Sequence, residues 1–350
     1  MLVDDVSRCC VTESATVKDV VESLTSSGLR LCLVVGTHDS LLGIVSDGDI
    51  RRGLLAGAGL DSAAKTVMNP SFASAQNGTA VSELTRLARS HEVTHLPLVD
   101  GEGKLAGLFI DQPDGEAAAR DNTVVIMAGG MGLRLRPLTE NTPKPMIPLG
   151  GKPMVQHTIE SLRAEGFVNF VLAINYLGDQ IEGHFGDGSG LGVGITYVKE
   201  EQPLGTGGAL SLLEGAFTSP IVLINGDVLL SARLTEMLSY HQSHSADITV
   251  GVKVLDTQIP FGVIELEGNH IVAMQEKPVY RDFVNAGVYV LEPEVVRSVA
   301  PAVRLDMPDL VGEWLGRQKV FAYPMHESWR DLGDIEDLER ARRDFDRKGD

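Results

Sequence analysis

The chain has 350 residues, 43% of them hydrophobic, and its 30 basic and 48 acidic side chains give a net charge of −18; that is core enough for two or three domains, and too acidic for a nucleic-acid partner. Its longest apolar runs, such as residues 221–224 and 288–291, fall far short of the roughly 20 residues of a membrane helix, and the acidic start Met1-Leu2-Val3-Asp4-Asp5 lacks the positive charge of a secretory signal, so a cytoplasmic protein with no membrane association is expected. The three cysteines, Cys9, Cys10 and Cys32, show neither a paired framework nor metal-ligand spacing and read as reduced thiols.

The first third of the chain repeats itself at the offset that separates Leu41 from Leu105. Thr16-Val17 matches Thr79-Ala80-Val81, Val35 matches Val99, and Leu41-Leu42-Gly43-Ile44 matches Leu105-Ala106-Gly107-Leu108. Apolar periodicity and turn residues predict one order in both copies: a helix (17–26 and 81–90), a strand (31–35 and 96–99), a turn and a second strand (42–45 and 105–110). A tandem β-α-β unit is implied. The repeat resembles a pair of cystathionine-β-synthase (CBS) domains, whose nucleotide motif is matched by Gly43-Ile44-Val45-Ser46-Asp47-Gly48-Asp49. In the second copy the equivalent Gly107-Leu108-Phe109-Ile110-Asp111-Gln112-Pro113 lacks the hydroxyl and the final carboxylate. Ser46 and Asp49 therefore have two readings. A hydroxyl and a carboxylate three residues apart at a strand end suit a ribose diol, so the resemblance implies at most one regulatory adenine-nucleotide site per chain, with dimer formation as the module's alternative role. Equally, Asp49 suits a cap for the helix opening at Ile50-Arg51-Arg52.

Residues 112–121 are polar, carry Pro and Gly, and mark the boundary between this module (1–115), a linker (116–122) and a second domain (123–350). From Thr123 onward, short apolar strands alternate with helical patterns: strand 124–127, helix 154–164, strand 170–175, helix 207–216 and strand 221–224. That alternation predicts an α/β, Rossmann-like domain with a mainly parallel sheet and ligands at the strand C-termini.

The strand at 124–127 runs into Ala128-Gly129-Gly130-Met131-Gly132-Leu133-Arg134-Leu135-Arg136-Pro137-Leu138-Thr139, followed by Pro143-Lys144-Pro145. Glycines directly after a buried strand let bare N–H groups approach a phosphate or base. A dinucleotide fingerprint would need Gly where Leu135 stands, and a P-loop would need Gly-Lys-Ser/Thr, which is absent. What remains is a glycine loop with cations at Arg134 and Lys144, which suits a triphosphate. The stretch resembles the signature of the sugar nucleotidyltransferases, Gly-Gly-x-Gly-Thr/Ser-Arg-Leu-x-Pro-Leu-Thr ahead of Pro-Lys-Pro, with Leu133 in place of the usual hydroxyl residue.

The resemblance continues to the C-terminus and implies a role for each matching position. Ala128, Gly129, Gly130, Gly132 and Gly226 would meet the nucleotide, and Arg134, Lys144 and Asp227 would be catalytic. In Glu200-Glu201-Gln202-Pro203-Leu204-Gly205-Thr206-Gly207-Gly208, Glu201, Pro203, Gly205 and Thr206 would hold the nucleotide, in a loop that looks most like those of guanylyltransferases and so points to GTP. Without the family, the same loop is an ordinary helix start capped by Thr206. Asn225-Gly226-Asp227 and Trp329-Arg330-Asp331-Leu332-Gly333 offer Asp227 and Asp331 to Mg²⁺, which takes one or two carboxylates plus phosphate oxygens and waters. On its own, Asn-Gly-Asp is more often a turn. Asp334 and Asp337 read as a helix cap and a first-turn charge. Gly262, Glu276, Lys277 and Asn285 make the family's sugar-phosphate set, with hydrogen bonds for hydroxyls and a cation for the phosphate.

Residues and resemblance together imply transfer of a nucleotidyl group from an NTP, GTP by preference, to a sugar 1-phosphate in a homo-oligomer. The acceptor is a hexose, hexosamine or heptose phosphate, led by glucosamine 1-phosphate and mannose 1-phosphate. A thymidylyl-, uridylyl- or cytidylyltransferase is the rival of the same class, and a non-catalytic nucleotide-sensing subunit the rival of another. The fused CBS-like pair resembles bacterial guanylyltransferases of surface-sugar and legionaminic-acid pathways.

Overall fold

The sequence repeat becomes two copies of one topology. In the first, strand Cys10–Thr12 pairs in parallel with Leu31–Val35, which pairs antiparallel with Leu41–Ser46. In the second, Ala75–Gln76 pairs in parallel with His95–Val99, which pairs antiparallel with Leu105–Ile110. The helices Val17–Ser27 and Val81–Ser90 stand where the periodicity predicts them. These elements form one compact unit, Met1–Gly115, and the rest of the chain forms a second, Glu116–Asp350. The computed structural model describes residues 1–91, 93–111, 117–213, 215 and 217–348, the last three as backbone. Gln112 and Pro113 of the second motif copy, and Glu116 at the start of the expected linker, lie outside the described residues. A strand already begins at Arg120, so sheet replaces linker before residue 123.

Between the two readings of Ser46 and Asp49, the structure carries the cap. Ser46 precedes the helix Asp47–Leu55; its hydroxyl accepts from Asp49 N, and the Asp49 carboxylate accepts in return from Ser46 N at 2.8 Å, a reciprocal capping box. The other carboxylate oxygen takes the Arg52 guanidinium, and Asp49 is only 6% exposed. Both oxygens are thus engaged within the helix start, one of them by Arg52, whose side chain is 73% exposed.

In the second unit, seven strands form one sheet in the order Gly194–Lys199, Phe167–Ile174, Arg120–Met127, Ile221–Asn225, Val279–Leu291, Ile248–Gln258, Val320–Pro324. The first four are parallel; Val279–Leu291 runs antiparallel to both neighbours. A sheet covered on both faces needs strands that are apolar on both sides, and these read as near-continuous hydrophobic runs. Val124, Ile126, Ile224 and Val288 enter one core with Val155, Ile159 and Leu162 of the helix Met154–Ala164. Val125, Leu223 and Tyr289 enter the other with Met307, Leu310 and Trp314 of the helix Met307–Trp314. Each aliphatic side chain buried in this way contributes about 1.5–3 kcal/mol. Among the described residues, no helix is long and apolar enough to cross a membrane.

Two consequences place the site. Strands Arg120–Met127 and Ile221–Asn225 are paired residue for residue up to Met127 and Asn225, so the glycine loop and Gly226-Asp227 leave the same edge side by side. A short antiparallel ribbon, Val228–Leu230 with Trp329–Asp331, then brings Asp331 to that edge from far along the chain. The helix expected at 207–216 does not form as such. Gly205–Gly208 makes a single α-turn, Ala209–Leu212 continues as a 3₁₀ turn, and Glu214 and Ala216 lie outside the described residues. Paired glycines are poor helix formers, and these serve a contact instead.

Candidate active site

The strand edge opens into a cleft of about 260 Å³. The glycine loop (Gly129, Gly130), Lys144-Pro145 and the 200–206 segment wall it, and Asn225, Gly226 and Asp227 line it where the second strand ends. Gly226 is what lets strand end and loop touch: its N–H donates to Met127 O at 2.9 Å, and a Cβ there would stand 2.4 Å from that oxygen. Gly132 adopts a left-handed conformation (φ 61°), and a Cβ on it would stand 3.1 Å from Lys144 Cβ, so the loop closes on the stem of the lysine. Ala128, expected at the nucleotide, is instead fully buried, with its N–H bonded to Ala173 O at 2.8 Å. It anchors the loop to the sheet. Leu133 is 56% exposed and does not border the cleft.

Charge concentrates where Gly226-Asp227 leaves the sheet. Lys144 is 8% exposed, and its Nζ lies 2.5 Å from Asp227 Oδ2. The ribbon sets Asp331 beside them, with Val228 opposite Asp331 and Leu332 N donating to Asp227 O at 2.9 Å. Burial first, and then the charge of Asp227, push the Asp331 carboxyl above its ordinary value, while Lys144 and Arg134 pull it back. Arg134 is exposed, with its guanidinium 3.0 Å from where a Cβ on Gly333 would stand, and neither it nor Asp331 lines the cleft. Asp331 Oδ1 and Asn225 Oδ1 are both buried without a hydrogen-bond partner. Buried oxygens are rarely left unpaired, and adjacent carboxylates with an orphan oxygen make a donor set that fits a hard divalent cation such as Mg²⁺.

At the far wall the structure corrects the reading by one residue. Glu201 is exposed and outside the cleft, whereas Glu200 lines it. The family's Glu-x-x-Pro spacing, counted back from Pro203, already selects Glu200. One of its oxygens accepts from Leu204 N at 2.8 Å; the other stands 3.1 Å from where a Cβ on Gly129 would be. Burial pushes its carboxyl up, against the pull of the Leu204 N–H.

Gly205 lines the cleft, but Gly207 and Gly208 do not offer free N–H groups to a ligand. Gly207 N and Gly208 N both donate to Leu305 O, at 2.9 and 2.8 Å, and Thr206 N donates to Asp306 Oδ1 at 3.3 Å. Thr206 does act as a cap, but for another helix: its hydroxyl accepts from Met307 N at 3.0 Å. A Cβ on Gly208 would stand 2.5 Å from Val303 O, so the glycines permit the 303–307 segment to cross closely. That crossing brings Asp306 to the cleft, a residue the sequence reading missed. Its only local signal is an Asp ahead of Met-Pro, a helix start. Gly208→Ala is expected to push this crossing apart at an overpacking cost of about 1–3 kcal/mol, read as a lower urea midpoint together with weaker nucleotide binding.

The expected sugar residues separate. Gly262 and Glu276 are cross-strand partners in the hairpin of Gly262–Glu267 and His270–Glu276, and Lys277 follows with φ 46°. All three are exposed, and none borders the cleft. Asn285 is tied to it: its Oδ1 accepts from Gly287 N at 2.9 Å, and a Cβ on Gly287 would stand 2.6 Å from Asn225 Nδ2. Asp334 caps its helix as expected, accepting from Asp337 N at 2.9 Å.

Comparison with known proteins follows the same division of the chain. A family model for the CBS domain matches residues 3–56 and 64–111. The mannose-1-phosphate guanylyltransferase of Mycobacterium tuberculosis is 36% identical over 230 residues, which are 63% of this chain and 64% of that protein. The mannose-1-phosphate guanyltransferase of Pichia angusta is 33% identical over 223 residues, 61% of each. The chain thus spans less than two thirds of the length of these curated relatives. Among solved structures, HddC from Yersinia pseudotuberculosis is similar with a TM-score of 0.50 at 25% identity, over 64% of this chain and 99% of that one. Because the nucleotidyl transferase family model matches residues 123–348, well over half of the 350, the chain belongs to that family and carries a CBS-domain pair ahead of it.

Proposed function

We propose that this chain transfers a guanylyl group from GTP to a sugar 1-phosphate with the help of Mg²⁺, releasing pyrophosphate and a GDP-sugar, with mannose 1-phosphate as the leading acceptor. The observation that carries this reading is the meeting of Lys144, Asp227 and Asp331 at one strand edge beside Gly129, Gly130 and Glu200.

In the reaction a phosphate oxygen of the sugar 1-phosphate forms a bond to the α-phosphorus of GTP. The bond from that phosphorus to the bridging oxygen breaks, and pyrophosphate leaves with the electron pair. The attacking oxygen is already an anion, so no general base is required. The work is to hold two repelling anions together and to neutralise charge on the leaving group. Lys144 and Arg134 are the cations for this, and Gly129 and Gly130 keep the wall free of side chains where the phosphates pass. Asp227 and Asp331 would hold the metal, which when bound supplies Lewis-acid neutralisation at the phosphates. Glu200 supports guanine, because a carboxylate accepts from a paired N1–H and N2–H₂, a pair that uracil and thymine do not offer. The names of the relatives point the same way.

A panel of GTP, UTP, CTP and dTTP against mannose, glucosamine and heptose 1-phosphates, followed by pyrophosphate release and product mass, tests the reading. Release with GTP and mannose 1-phosphate is expected. Silence across the panel would return the chain to the nucleotide-sensing alternative. For the CBS unit both roles stand as proposals, dimer formation and one adenine-nucleotide site at Ser46 and Asp49.

A further inference from the structure

The contact between Lys144 and Asp227 has a consequence for how metal reaches the site. Lys144 opens a short turn, Lys144–Met146, between Pro143 and Pro145, and its Cβ lies 3.1 Å from where a Cβ on Gly132 would stand. The residue is 8% exposed, so its ammonium has little open space to search. Its side chain is 10% exposed, that of Asp227 26%, and the two charged atoms lie 2.5 Å apart. The ammonium therefore stands on an oxygen that a divalent ion would need, next to the unpartnered Asp331 Oδ1.

A metal ion and an ammonium cannot share that oxygen without strong like-charge repulsion at short range. Nor can the ammonium simply leave. A nearly buried cation stripped of its partner is costly, and the described ion pairs give Lys144 no carboxylate other than Asp227. An incoming polyphosphate removes the obstacle, since a lysine ammonium is a compact charge that transfers readily from a carboxylate to a phosphate oxygen.

We infer that Lys144 is an internal cation that holds the two-carboxylate site until a polyphosphate arrives, so that divalent metal and nucleoside triphosphate bind this chain cooperatively and metal alone binds poorly. The inference rests on the nucleotidyltransferase reading of the site. Linkage makes the effect reciprocal: the factor by which nucleotide tightens metal binding equals the factor by which metal tightens nucleotide binding.

Mn²⁺ titration of the full chain, followed by loss of the free-ion electron paramagnetic resonance signal, tests it. Asp331→Asn defines the background from the many surface carboxylates. Without nucleotide, the wild type is expected to bind Mn²⁺ no better than Asp331→Asn. Lys144→Met is expected to gain a site tighter by on the order of tenfold, and Lys144→Met with Asp331→Asn to lose it. With α,β-methylene-GTP, which chelates Mn²⁺ by itself, the wild type should take up more Mn²⁺ than the analogue alone and Asp331→Asn with analogue account for. Tight Mn²⁺ binding by the wild type without nucleotide would overturn the inference, as would binding of the analogue with no Mn²⁺ uptake beyond those two controls. If Lys144→Met does not fold, the wild-type titrations with and without analogue still decide. If the analogue binds no variant, the functional reading fails instead, and the comparison of wild type with Lys144→Met still judges the role of the lysine.

Discussion

Asp331→Asn is expected to lower kcat by about 10²–10³ while leaving thermal stability unchanged or slightly higher. Asp227→Asn is expected to match it in activity and to lose stability as well. The two carboxylates are neighbours across one ribbon, yet their surroundings differ. Asp227 neutralises the nearly buried Lys144, so removing its charge strands an ammonium, the costly half of a broken ion pair. Asp331 has no hydrogen bond to its Oδ1, and burial together with Asp227 disfavours its ionised form. Making it neutral relieves repulsion in the resting protein and removes only what the loaded site needs. Pyrophosphate release under saturating substrates, set beside a thermal melt of each variant, separates the two outcomes. Equal stability losses would mean that the pair shares the lysine, and unchanged turnover in Asp331→Asn would remove that residue from the metal site.

How much of this was legible in the sequence depends on how local each cause is. The helix Met154–Ala164 was readable to the residue, because Val155, Ile159 and Leu162 recur at helical spacing after Pro153. The duplicated topology followed from a repeat at fixed offset, and the placement of Asp227 from the end of an apolar strand. Other features have causes far away in the chain. Gly207 and Gly208 follow directly on the nucleotide loop, but the N–H groups of both are spent on Leu305, nearly a hundred residues on. No local pattern encodes that crossing, so Asp306 reads only as a helix start with no sign that it reaches the cleft. Ala128 sits inside the motif, yet the register with Ala173 turns its N–H into the sheet. Gly262, Glu276 and Lys277 come from the family pattern, and that pattern does not say that they stand on an exposed hairpin.

The residue that moved by one place carries the sharpest test of base choice. Glu200→Gln is expected to lower kcat/KM for GTP by roughly tenfold to a hundredfold, the value of a good paired contact to a base, with much less effect on UTP. Glutamine keeps the length of the side chain, and its one carbonyl can still accept from Leu204 N, as a Glu200 oxygen does at 2.8 Å. The wall therefore keeps its shape. What changes is the other atom, beside Gly129: an acceptor becomes a donor and would face the N–H groups of guanine donor to donor. Stability should not fall, because burial already disfavours the ionised carboxyl. The sign can be checked by pH. A raised folded pKa costs the wild type stability as pH rises through it, so any advantage of Glu200→Gln should shrink on acidification toward the ordinary value of 4.5. Equal losses with GTP and UTP would mean that Glu200 shapes the wall through Leu204 and leaves the base unread. A loss confined to GTP would assign the recognition of guanine to this one carboxylate.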